Sequence, residues 1–104
     1  MAMRRMMQEI PTADVVITNP THYAIALKYD DENMDAPIVV AKGVDFVAQK
    51  IKMIAKEHEI VMVENRPLAR AMYDDVEIGG RIPDEFFKAV AEILAYVYRI
   101  QRKI

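Results

Sequence analysis

The sequence predicts an α/β domain: a small four-stranded mixed sheet flanked by helices, with an Asn-Pro-Thr-His turn between the first two strands. Three observations carry the prediction. Short runs rich in β-branched residues recur at 14–19, 38–41 and 60–63, and 23–29 alternates with a period of two. Longer stretches repeat apolar residues at helical spacing. Strand and helix alternate between 38 and 63, the order that builds a sheet covered by helices.

The elements follow in order. Asp14 to Asn19 carries Val15, Val16, Ile17 and Thr18 and reads as a buried strand. Asn19-Pro20 interrupts it, because proline cannot donate to a ladder. Tyr23, Ile25, Leu27 and Tyr29 then alternate with Ala24, Ala26 and Lys28, a second strand. The connection is too short for a crossover, so these two strands form an antiparallel hairpin. Asp30 to Pro37 is an acidic surface loop. Ile38 to Ala41 is a third strand, with Lys42-Gly43 as its end.

Val44, Val47, Ala48, Ile51, Ile54 and Ala55 make one apolar stripe of a helix over 44–58. Asp45, Gln49, Lys52 and Lys56 fall together on the opposite side, while Phe46 and Met53 lie off the stripe. His58 is expected to face solvent at the helix end. Ile60 to Val63 is a fourth strand, and strand 38–41, helix 44–58 and strand 60–63 form a βαβ unit, parallel and right-handed. Asn65 and Pro67 mark the start of a short helix over 68–73. Pro83, with Asp84 and Glu85 in the first turn, opens the last helix. Phe86, Phe87, Val90, Ile93, Leu94, Val97 and Tyr98 form its apolar side, and Arg99, Arg102 and Lys103 close it.

Composition narrows the function. At 104 residues the chain fits one domain. With no cysteine it has neither a disulfide scaffold nor a thiol nucleophile. The formal net charge of -2 leaves no basic surplus to neutralise phosphates, so no nucleic-acid partner is expected. No apolar run approaches the roughly 18 residues of a membrane-spanning helix, and no secretory leader is expected. Met3-Arg4-Arg5-Met6-Met7 reads as the continuation of something upstream, so residues 1–12 are expected to be a juxtamembrane helix or linker and 13–104 the folded domain. The three glycines make no phosphate loop, and His22 and His58 alone make no metal site. No cofactor is expected.

The chemistry lies at Asn19-Pro20-Thr21-His22. Asparagine before proline is ordinarily a turn. Yet proline has no N–H, so the usual attack of the following nitrogen on the asparagine side chain is closed. What remains is attack by the Asn19 side-chain nitrogen on its own backbone carbonyl carbon. That closes a succinimide and expels the Pro20 nitrogen. The step needs the nitrogen within about 3–3.5 Å of the carbon, a donor for the developing oxyanion and a proton for the leaving nitrogen. His22 is the side chain suited to carry that proton. The Thr21 hydroxyl or N–H would orient the turn.

The segment from Ala13 to Tyr29, with Asn19-Pro20-Thr21-His22 inside it, resembles the self-cleavage segment of the switch proteins of type III protein-export apparatuses. Arg4-Arg5-Met6-Met7, Pro11-Thr12-Ala13-Asp14, Arg66-Pro67-Leu68-Ala69-Arg70-Ala71 and Ala91 to Tyr98 resemble the flagellar branch, so the likeness spans nearly the whole chain. It implies a cytoplasmic domain whose membrane-embedded partner segment lies upstream, in a bacterial inner-membrane protein. It implies cleavage between Asn19 and Pro20 as a single maturation event, not turnover, linked to a change from exporting rod and hook proteins to filament proteins. Implied partners are other export-apparatus proteins, a hook-length ruler and the exported substrates. Arg66 and Arg70, four apart on one helix face, and Tyr23 beside the turn are candidates for partner contact. The alternatives are an injectisome relative, a plain interaction domain in which the motif only shapes a turn, and a small α/β enzyme, which lacks a nucleophile–base pair.

Overall fold

The computed structural model describes residues 2–101. Helix α1 (Ala2–Glu9) and a 3-10 turn (Ile10–Thr12) lead into strand β1 (Val15–Asn19) and strand β2 (Tyr23–Lys28). Strand β3 (Ile38–Val44), helix α2 (Asp45–Glu57), strand β4 (Val61–Glu64) and helix α3 (Arg66–Asp75) follow. A 3-10 turn (Asp84–Phe86) opens helix α4 (Phe87–Gln101). Arg102 and Lys103, expected to close α4, lie outside the described residues.

The four strands form one mixed sheet in the order β3-β2-β1-β4. The hairpin β1–β2 is antiparallel, β2–β3 is antiparallel and β1–β4 is parallel. The expected parallel crossover from β3 through α2 to β4 is present, but its two strands are not neighbours. β3 and β4 run in the same direction but sit at opposite edges, with the whole hairpin between them. Helix α2 crosses that hairpin to reach β4.

Helices cover both faces, which explains why β1 reads as a continuous apolar run. Val15, Ile17, Ile25, Leu27 and Val39 pack against Leu68, Ala69 and Met72 of α3 and Val90, Leu94 and Val97 of α4. Val16, Ala24, Ala26 and Ala41 pack on the other face against Ala48, Ile51 and Ala55 of α2 and Met6 and Ile10 of the N-terminal segment. Strands buried on both sides lose the alternation of a one-faced sheet. The β2–β3 register slips between Ala26 and Leu27, so Val40 is the extra residue of a bulge and shares a face with Ala41.

Several boundaries differ from the sequence reading, two of them for a visible reason. β3 does not stop at Lys42-Gly43; it continues to Val44, with Gly43 opposite Ala24. Lys42 is held there by its own ammonium, which donates to the Tyr73 and Val76 carbonyls at 3.0 and 2.7 Å. Helix α3 is longer than 68–73 because Asn65 caps it, its Oδ1 accepting the Leu68 N–H at 3.2 Å. Phe46 and Met53, off the α2 stripe, are plainly exposed, and so is His58.

Candidate functional site

The turn at the end of the hairpin is built by register. Asn19 pairs with Tyr23, which leaves Pro20, Thr21 and His22 to reverse the chain. The His22 N–H donates to the Asn19 carbonyl at 3.0 Å, closing a β-turn with Asn19 first and Pro20 second. Proline suits that second position because its ring presets φ. The Asn19 Oδ1 accepts from the Thr21 N–H at 3.4 Å and from the Thr21 hydroxyl at 3.3 Å. These are long, weak bonds, but both fall on the same oxygen and so orient the side-chain amide plane.

The strand that leads into the turn is anchored. Thr18 is buried and its carbonyl accepts the Asn65 N–H at 2.9 Å, which ties the end of β1 to the start of α3. Tyr23 is half-buried, its ring 5.2 Å from that of Tyr73 and 6.2 Å from the His22 imidazole.

Helix α2 closes the turn from the other side. β2 pairs Tyr23 with Val44, so the next residue, Asp45, falls beside His22. The Asp45 N–H donates to the His22 carbonyl at 2.8 Å, and its Oδ1 lies 3.2 Å from His22 Nδ1. Asp45 adopts φ 52°, the left-handed region, which costs a non-glycine residue about 1 kcal/mol or more but which aspartate tolerates better than most. Two helical turns on, the Lys52 ammonium donates to the Pro20 carbonyl at 2.8 Å. The imidazole and the carboxylate stay largely open to water, at 60% and 70% side-chain exposure, so solvent reaches the turn.

The four residues singled out by sequence thus share one turn. Asp45 and Lys52 were missed as neighbours. They belong to the polar stripe of α2, expected on the side away from the sheet, and only the β2–β3 register turns part of that stripe toward the hairpin end. Arg66 and Arg70 are exposed on α3; the Arg66 Nε lies 3.2 Å from the Glu64 carboxylate. Among the described residues no group of acids and histidines could hold a metal ion. A separate apolar groove of about 340 Å³ runs between Tyr29, Ala36, Pro37, Phe87, Leu94 and Tyr98.

A mixed sheet whose central hairpin ends in an Asn-Pro-Thr-His turn clasped by a helix defines a class. The family described as FlhB HrpN YscU SpaS Family matches residues 1–97, and this chain belongs to it. Flagellar proteins are among its relatives. It is 72% identical over 104 residues to the flagellar biosynthetic protein FlhB of Bacillus subtilis, covering 100% of this chain and 29% of that one. It is 52% identical over 101 residues to FlhB of Salmonella typhimurium, covering 97% of this chain and 26% of that one. The chain therefore spans under a third of the length of these relatives. The crystal structure of the cytoplasmic domain of FlhB from Shewanella putrefaciens superposes with a TM-score of 0.91 at 49% identity, covering 96% of this chain and 77% of that one. An EscU C-terminal domain with an asparagine replaced by alanine superposes with a TM-score of 0.85 at 32% identity, covering 88% of this chain and 92% of that one. The fold is that of the FlhB and EscU C-terminal domains, and the family is one of type III export components.

Proposed function

We propose that this domain cleaves its own chain once, between Asn19 and Pro20, by cyclisation of Asn19, and that cleavage alters which proteins a flagellar export apparatus accepts. The observation that carries the reading is the carbonyl of Asn19. It stands at the first position of a proline turn and already accepts the His22 N–H at 3.0 Å. That N–H is placed to stabilise the oxyanion formed when the carbonyl carbon is attacked, and a preorganised donor is the largest single aid to such a step.

The reaction balances without water. A bond forms between the Asn19 side-chain nitrogen and its backbone carbonyl carbon. The bond from that carbon to the Pro20 nitrogen breaks. The side-chain nitrogen gives up one proton and the proline nitrogen gains one. Thr21 orients the attacking amide through Oδ1. His22 relays the proton, its ring steadied by Asp45 and open to solvent on its other side. Nothing is regenerated, so the domain is not a turnover enzyme.

The fragments stay together after cleavage. β1 is a central strand, paired on both edges, and Ile10, Val15, Val16 and Ile17 are fully buried. Each such side chain contributes about 1.5–3 kcal/mol by burial. The change is local: a relaxed turn, two new chain ends and an altered surface around Pro20, Thr21, His22 and Tyr23. The proposed partners are other export-apparatus proteins, the hook-length ruler and exported flagellar proteins, with Tyr23, Arg66 and Arg70 as contact candidates. Residues 1–12 would lead upstream to a segment in the inner membrane, with this domain on its cytoplasmic side.

A denaturing gel tests the reading. The parent protein gives two fragments, Asn19→Ala gives one band, and both run as one particle under native conditions. Normal cleavage of Asn19→Ala would overturn the cyclisation.

A further inference from the structure

We propose that Lys52 is a positioning residue for this cleavage, a clamp that helix α2 places on the leaving side of the scissile bond. The inference rests on the self-cleavage reading above.

Pro20 supplies the nitrogen that leaves. Its φ is locked by the pyrrolidine ring, so ψ is the one soft backbone torsion left to it. The Lys52 ammonium holds the Pro20 carbonyl at 2.8 Å and thereby fixes that ψ. A charged donor makes a shorter and roughly twofold stronger bond than a neutral one. Both torsions of the leaving residue are then set, one by covalent geometry and one by Lys52.

The clamp stands on a rigid base. Lys52 itself is partly buried, and its neighbour Ile51 and the flanking Ala48 and Ala55 are buried against the sheet. Asp45 lies seven residues earlier, two turns along the same face, and binds the His22 carbonyl through its N–H. The carbonyls of Asn19, Pro20 and His22 each therefore have a donor, and two of the three donors belong to α2. Cyclisation depends on holding an attacking nitrogen and a carbonyl in register, where a displacement of about 1 Å costs up to about a hundredfold in rate. Releasing Pro20 frees the plane of the scissile amide on the side that α2 holds.

The test compares Lys52→Met, which keeps the stem and loses the donor, with Lys52→Arg, which keeps a charged donor. Cleavage is followed by denaturing gel and folding by thermal melting. Lys52→Met is expected to cleave about tenfold more slowly or worse, with Lys52→Arg recovering most of the rate. Cleavage of Lys52→Met at the parent rate overturns the inference. Should Lys52→Met melt below the assay temperature, Lys52→Leu, which also lacks a donor, against Lys52→Arg makes the same comparison, and equal rates again overturn it. A second readout separates this inference from the reading beneath it. In uncleavable Asn19→Ala protein, Lys52→Met is expected to speed amide hydrogen exchange of His22 at least several-fold, and unchanged exchange contradicts the clamp. If the parent protein never cleaves, the self-cleavage reading falls, and this exchange measurement still decides whether Lys52 orders the turn.

Discussion

Replacing Gly43 by alanine tests how α2 is seated on the hairpin. Gly43 lies in β3 opposite Ala24, directly beneath the first turn of α2. A Cβ added there would overlap Val47 Cγ1, stand 2.9 Å from Val47 Cβ and 3.1 Å from the Ala48 backbone nitrogen. The valine can rotate, but the Ala48 nitrogen cannot retreat unless the helix moves. Overpacking of this kind costs about 1–3 kcal/mol. For a domain of this size each kcal/mol lowers the melting temperature by about 4–8 °C, so Gly43→Ala is expected to melt about 4–24 °C lower. The assay is calorimetry in the Asn19→Ala background, which keeps the chain intact. Val47→Ala added to Gly43→Ala removes the overlapping methyl and leaves the Cβ contact, so it restores part of the loss. An unchanged melting temperature in the single variant, or a purely additive further loss in the double, would refute the reasoning. With Asn19 present, Gly43→Ala is also expected to slow cleavage, since lifting the first turn of α2 draws Asp45 from His22.

Other expectations follow from the same geometry. Asn65→Ala removes the α3 cap and is expected to cost about 1 kcal/mol, read as a shift of the denaturant midpoint without a change of slope. His22→Ala is expected to slow cleavage by up to about a hundredfold without stopping it, because solvent can relay the proton; a complete block would give the imidazole a larger part. Burial, with Asp14, Asp31, Tyr29 and Asp30 nearby, pushes the Tyr98 phenol above its ordinary value of 10.0. A raised folded-state value favours the neutral phenol. The stabilisation is therefore complete below about pH 10 and is lost as pH rises through the folded value. The melting temperature should fall more steeply above about pH 10 in the parent than in Tyr98→Phe, and parallel curves would contradict this.

Much of this arrangement was legible in the sequence, for reasons that can be located. β-branched runs and the alternation over 23–29 marked the strands, and the apolar stripe of α2 identified its buried residues, because these patterns are local. The short link at Pro20 made the β1–β2 hairpin antiparallel for the same reason. Strand order was not legible. Nothing local distinguishes β3 and β4 as neighbours from β3 and β4 at opposite edges, and that choice is made by the hairpin filling the space between them. Lys42-Gly43 looked like a strand end because glycine is rare in strands, yet a close helix needs a residue without a side chain there. At the site, the chemistry proposed for Asn19-Pro20 is covalent and therefore open to sequence reasoning. Asp45 and Lys52 were not readable as its neighbours, since a charged stripe on a helix reads equally well as a solvated face. The donor to the Asn19 carbonyl was missed for a simpler reason: the His22 N–H is a backbone group, which every non-proline residue carries.

The most direct test of self-cleavage by cyclisation is the mass of the two fragments measured soon after they form. Attack by the Asn19 side chain consumes no water, so the fragment ending at Asn19 should carry a succinimide, and the two masses should add to that of the intact chain. Fragments that from the outset add to the intact mass plus one water would mean hydrolysis of the bond and would contradict the account.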